Sequence, residues 1–189
     1  AAGRRSRARE GRRGVTAAHP AADFHFPLGD FVPERGGLIR NAVLRYRIFG
    51  DPDRIRTRGA SLVFHALTGN ADVDRWWGPL LSAGAALDPE QAPVVAANLL
   101  GGCSGSTGPA DVPDGDFPAL TPADMARAHV PLLRHLGVER IRLATGGSLG
   151  GMVALHWGRL SPVPVEQLVV LAAPARTSAQ AIAWNTAQR

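Results

Sequence analysis

Thr145-Gly146-Gly147-Ser148-Leu149-Gly150-Gly151 follows the apolar run Ile141-Arg142-Leu143-Ala144 and precedes a helix-like segment. The stretch has the form G-x-S-x-G between a strand and a helix. That setting holds a serine on a tight strand-to-helix turn, a nucleophile elbow. The small residues have a physical reason. The turn puts the serine in a strained backbone conformation, and side chains at Gly146 or Gly150 would crowd the neighbouring strand and helix.

Working outward from the elbow, strands and helices alternate. A helix is expected from about Leu149 to Leu160, with glycines that imply close packing on a sheet, then a strand from Gln167 to Ala172. Thr177 or Ser178 caps a last helix running to Arg189. Upstream, Thr121-Pro122-Ala123-Asp124 reads as a helix start with Thr as N-cap and Pro at the first position. Met125, Val130, Leu132, Leu133 and Leu136 give its apolar stripe, Gly137 closes it, and Pro131 is expected to kink it. Ser61-Leu62-Val63-Phe64 and the run from Pro93 to Leu100 read as strands covered on both faces. Residues 71–90 hold Trp76-Trp77 and one short helix, and Arg54 to Gly59 reads as a polar connector. Phe24 to Val32 and Leu44 to Phe49 are extended and suggest an antiparallel hairpin at a sheet edge. The pattern predicts an α/β fold with a mostly parallel sheet flanked by helices.

The 189 residues are 45% hydrophobic and 20% charged, as in a globular domain with a real core. No run approaches the roughly 18 apolar residues that span a membrane, and no apolar h-region follows the basic N-terminus, so no secretory signal is expected. The single cysteine, Cys103, excludes a disulfide framework and fits a reducing cytosol. The net charge of +5 belongs wholly to residues 1–14, where six arginines face Glu10. Residues 1–22 therefore read as a basic, disordered tail, without the aromatics or helical pattern of a nucleic-acid-binding segment.

A serine hydroxyl is a weak nucleophile until a base takes its proton. The elbow supplies position and one oxyanion donor, the backbone N–H of Leu149. The second donor comes from the loop after an earlier strand, and Leu67 N–H in His65-Ala66-Leu67-Thr68-Gly69-Asn70 is the candidate. Thr68, Gly69 and Asn70 are candidate substrate contacts. On such sheets an acid and then a histidine follow the serine. Downstream of Ser148 stand one acid, Glu166, and one histidine, His156. His156 lies roughly 12 Å along the helix axis, out of reach, and Glu166 is at the amino end of a strand, opposite the site. The triad Asp and His are thus expected to be absent. His65 has either a direct or a structural role. Cys103 is expected to be a buried free thiol. The glycines at 101–108 match neither phosphate-binding spacing. Trp76-Trp77 either line a pocket or pack, and no metal-ligand spacing is evident.

Four ordered motifs resemble those of homoserine O-acetyltransferase, an α/β-hydrolase-fold acyltransferase. They are His65-Ala66-Leu67-Thr68-Gly69-Asn70-Ala71; the run from Asn98 to Pro109; Gly146-Gly147-Ser148-Leu149-Gly150-Gly151-Met152; and the run from Ala175 to Asn185. The resemblance implies that Ser148 takes an acetyl group from acetyl-CoA and passes it to the homoserine hydroxyl, in the cytoplasm, for methionine biosynthesis. Leu67 and Leu149 match the oxyanion-hole positions through their backbone amides. No metal or prosthetic group is implied; acyl-CoA is a co-substrate. In the family, a helical lid with the dimer interface and the strands bearing the catalytic Asp and His come later. Residues 23–189 are therefore expected to be the N-terminal portion of the domain, truncated before the lid and last strands. Negligible turnover alone and no family-type homodimer are expected, as is an apolar sheet edge and face left uncovered. A serine hydrolase or esterase, a serine or homoserine O-succinyltransferase, and a non-catalytic relict are the alternatives.

Overall fold

A computed structural model describes residues 22–112 and 115–187. Six strands form one sheet: β1 (Ala22–Phe31), β2 (Ile39–Phe49), β3 (Ala60–Phe64), β4 (Val94–Ala97), β5 (Ile141–Gly147) and β6 (Val165–Leu171), in the order β1-β2-β4-β3-β5-β6. The last four positions, β4-β3-β5-β6, are mutually parallel, and β1 and β2 are antiparallel additions at one edge. The expected edge hairpin and parallel sheet are both present. β1 begins at Ala22, one residue inside the segment read as a tail; residues 1–21 lie outside the described residues.

The helices are α1 (Ile55–Arg58), α2 (Val73–Trp76), α3 (Pro122–His135), α4 (Leu149–Leu160) and α5 (Ala179–Ala187). α1 corrects the reading of 54–59 as a connector: its Ile55 is buried in the core, an anchor that a mostly basic stretch conceals. α3 begins as its sequence demands. Thr121 Oγ1 accepts the Asp124 N–H at 3.2 Å while Asp124 Oδ2 accepts the Thr121 N–H at 3.1 Å, a reciprocal capping box. It ends on Gly137 at φ 67°, where the Gly137 and Val138 N–H groups cap Arg134 O and Leu133 O. The helix runs unbroken through the exposed Pro131. Ser178 rather than Thr177 caps α5, its Oγ accepting the Ala181 N–H at 3.2 Å.

Strand alternation sorts the core onto two faces. Leu62, Phe64, Val95 and Ala97 join one cluster with residues of α3 and α4, whereas Val63, Val94, Ala96 and Leu143 join a second beneath the 71–87 segment. Each large side chain removed from water contributes about 1.5–3 kcal/mol. Asp124 is a buried carboxylate in this core. Burial alone would raise it, but hydrogen bonds from Arg127, Thr121 and the Glu34 N–H outweigh that and hold it below its ordinary value. No helix among the described residues is long and apolar enough to cross a membrane.

Candidate active site

β5 delivers Ser148 onto the turn that its sequence implies. Ser148 sits at φ 54°, ψ −120°, a region that side-chain-bearing residues rarely occupy, and is exposed at the start of α4. Neighbouring backbone holds it there. Its N–H donates to Leu171 O at 3.0 Å, and its carbonyl accepts the Met152 N–H at 3.1 Å. The flanking glycines have no room for more. A Cβ on Gly146 would lie 2.8 Å from Phe64 O, and one on Gly150 would lie 2.7 Å from His65 O.

β3 ends in the second loop of the site. His65 is buried and spends both ring nitrogens on backbone: Nδ1–H donates to Ala66 O at 2.7 Å, and Nε2 accepts the Leu99 N–H at 2.9 Å. Burial lowers its pKa, so the neutral ring that these bonds require persists. Its structural reading stands. Leu67 projects into solvent at 77% exposure, and among the described residues its N–H has no acceptor. Gly69 N–H turns back to Ala66 O at 2.8 Å. Asn70 spends its side chain inside the loop, Oδ1 accepting the Asp72 N–H at 2.9 Å. Asp72 is in turn pinned by Arg45 and Arg47, each at 3.1 Å.

Leu67, Gly69 and Leu149 share the lining of a cavity of about 780 Å³ with the glycine-rich loop 101–109 and Met125. The two candidate oxyanion residues therefore line one space; Ser148, immediately before Leu149, is not itself among the lining residues. Thr68, Asn70, Trp76 and Trp77 do not line it. The tryptophans pack on the second core cluster, 5.0 Å apart, and Trp76 Nε1–H donates to Asn70 O at 3.2 Å. Cys103 lines the cavity but is exposed, which corrects the expectation of a buried thiol. Loop glycines leave its side chain uncovered.

Among the described residues no imidazole or carboxylate hydrogen-bonds Ser148. His156 lies on α4 beside a separate groove with Arg159 and Thr177, and Glu166 pairs with Arg140 at 3.3 Å at the amino end of the sheet. No group of three metal-ligating side chains is assembled among the described residues. Sequence reasoning passed over Asn98 as a site residue. Its signal was a polar residue closing the apolar run 93–97, and its side chain bonds to both cavity loops.

A parallel sheet with its strained serine between β5 and α4 defines a class. Residues 62–189 match the model of the alpha/beta hydrolase fold family, and the chain belongs to that family. Within it, the chain is similar to homoserine O-acetyltransferases. It is 39% identical over 173 residues to that of Trichormus variabilis, covering 88% of this chain and 48% of the relative. It is 43% identical over 187 residues to that of Thermus thermophilus, covering 84% and 49%. The crystal structure of the Staphylococcus aureus homoserine O-acetyltransferase superposes with a TM-score of 0.75 at 32% identity, covering 88% of this chain and 51% of that one. The chain thus spans about half the length of the relatives it matches.

Proposed function

We propose that this chain carries the nucleophile and oxyanion-hole half of an O-acyltransferase acting in the cytoplasm, in methionine biosynthesis, with acetyl-CoA as donor and homoserine as acceptor. Ser148 Oγ attacks the thioester carbonyl while the Leu67 and Leu149 N–H groups receive the developing oxyanion. The C–S bond then breaks, and CoA leaves as the thiol, taking a proton. The homoserine hydroxyl attacks the acetyl-serine, its oxygen keeps the acetyl group, and the proton returns to Ser148. Each oxyanion donor is worth about 3 kcal/mol in the transition state. Thr68 and Gly69 stand beside the Leu67 amide as substrate contacts in this reading.

The observation that carries the proposal is the Ser148 turn, held at φ 54° in a chain 39–43% identical over most of its length to homoserine O-acetyltransferases. The base is assigned to the part of the relatives' length that this chain does not span. The 189 residues alone should therefore acetylate Ser148 slowly and turn over negligibly. The test incubates the purified chain with acetyl-CoA and homoserine, follows the acetyl mass increment on the Ser148 peptide, and separates O-acetylhomoserine from free acetate. An acetyl group that reaches only water favours an esterase. Turnover at the rate of full-length relatives would sink the assignment of the base.

A further inference from the structure

Resting on that reading of Ser148 and the Leu67 amide, we propose that Asn98 is a positioning residue for acyl transfer. It holds the loop bearing the Leu67 N–H against the glycine-rich loop on the other side of the cavity. Asn98 lies one residue past β4 and is 1% exposed. Its side chain is divided between the two loops. Oδ1 accepts the Ala71 N–H at 2.6 Å, and Nδ2 donates to Ser104 O. Its backbone is fixed independently, the N–H donating to Arg45 O at 2.8 Å and the carbonyl accepting the Ser106 hydroxyl at 2.7 Å. Among the described residues no other side chain bonds to both loops.

The neighbouring residue supplies a second tie, Leu99 N–H to His65 Nε2. Asn98 and Leu99 thus grip opposite ends of the loop, Ala71 at its exit and His65 at its entry. Between the grips, among the described residues, the backbone–backbone bond Gly69 N–H to Ala66 O is joined by His65 Nδ1–H to Ala66 O and Trp76 Nε1–H to Asn70 O. None of these reaches Leu67 itself, so the direction of its N–H depends on where the ends of the loop are held. A donor that must meet an oxyanion acts through preorganisation, and a misplacement of about 1 Å can cost about a hundredfold in rate. Two side-chain arms from one buried amide can set that position to fractions of this distance.

The test compares the wild-type chain with Asn98→Asp, Asn98→Leu and Ser148→Ala. Asn98→Asp keeps an oxygen acceptor for the Ala71 N–H and exchanges the Ser104 arm for a second acceptor oxygen facing the Ser104 carbonyl; Asn98→Leu loses both arms. Two quantities are read below each variant's thermal midpoint: amide hydrogen exchange at Ala71, and the saturating rate at which a fluorophosphonate phosphonylates Ser148, measured by intact mass. With both arms lost, labelling should slow about thirtyfold and Ala71 exchange rise by a similar factor; with Asp it should slow about threefold, at unchanged half-saturating probe concentration in both. A purely structural tie would raise exchange in Asn98→Leu and leave labelling at the wild-type rate, which overturns the inference. Equal slowing in both variants also overturns it, because the Ala71 arm would then not be the one that matters. Unchanged Ala71 exchange in Asn98→Leu does the same. If wild type labels no faster than Ser148→Ala, the nucleophile reading itself fails and takes this inference with it.

Discussion

β3 and β6 flank β5 in the same sheet, run parallel to it and have similarly apolar runs, yet their surroundings differ completely. Every residue of β3 is buried, whereas Leu168, Val169 and Leu171 of β6 are 39–44% exposed, and Ile182 and Trp184 of α5 are exposed as well. An apolar parallel strand records two covering layers. On β3 both are present: α3 and α4 on one face, the 71–87 segment on the other. On β6, α4 reaches one face through Gly158 against Leu168, while Val169 and Leu171 are left 43% and 44% exposed. The elbow lies on the seam between these regions. Gly150 is wedged against the Phe64 and His65 carbonyls on the β3 side, and the Ser148 N–H is held by Leu171 O on the β6 side.

The sharpest way to break the comparison is to add the same kind of bulk to each side of α4. Gly150→Ala meets backbone carbonyls that cannot yield, so it should cost more than about 4 kcal/mol and leave little folded protein by circular dichroism. Gly158→Ala meets the end of the Leu168 side chain, which can swing into solvent, and should cost at most about 1 kcal/mol. Equal losses would mean that the β6 side is as firmly packed as the β3 side.

Acid probes the buried side next. His129 packs edge-on against Phe64 at 5.1 Å, donates Nδ1–H to Met125 O, and among the described residues has no partner for Nε2; burial lowers its pKa from 6.5 to about 4. A base with a depressed folded pKa binds its proton more readily when unfolded. Its contribution to stability is therefore intact above pH 6.5 and drains away as pH falls toward 4, by about 3 kcal/mol in all. His65 adds to the loss in the same direction. Urea unfolding at stepped pH should show that slope, and His129→Gln should flatten it. A wild-type slope no steeper than that of His129→Gln would mean that the ring is hydrated rather than buried.

The elbow, the parallel sheet, the edge hairpin and the α3 caps were all legible because each rests on local chemistry: small residues at a strained turn, alternating apolar runs, a Thr-Pro-x-Asp start. The cavity was not. It is assembled by Asn98, Ser106 and Thr107 reaching between segments, and a single buried amide leaves no periodicity to read. Cys103 was misjudged for the converse reason, since hydrophobic character favours burial but glycine-rich loops supply nothing to bury it. Downstream of Ser148 the described residues place His156 beside a separate groove and Glu166 at the opposite end of the sheet.

Strain on the seam gives a smaller effect of opposite sign. Ser148→Gly relieves a φ of 54° and should raise stability by about 1 kcal/mol, the relief exceeding glycine's added unfolded-state entropy, while abolishing phosphonylation. A destabilised Ser148→Gly chain would mean that the serine side chain supports the turn.

The smallest effect is the most telling about coverage. Val63 and Val169 pair with the two sides of Thr145, at one level of the sheet and on one face, so they differ in what lies above them and in β6 being the end strand. Val63→Thr places a hydroxyl in the second core cluster with no partner and should cost about 1–3 kcal/mol. Val169→Thr places the same hydroxyl at a site 43% exposed and should change the unfolding free energy in urea by no more than about 0.5 kcal/mol while slowing aggregation seen by light scattering. The two measurements constrain each other. If Val169→Thr costs as much as Val63→Thr, the β6 face is covered in solution, and the cost should then fall on dilution if another copy of the chain does the covering.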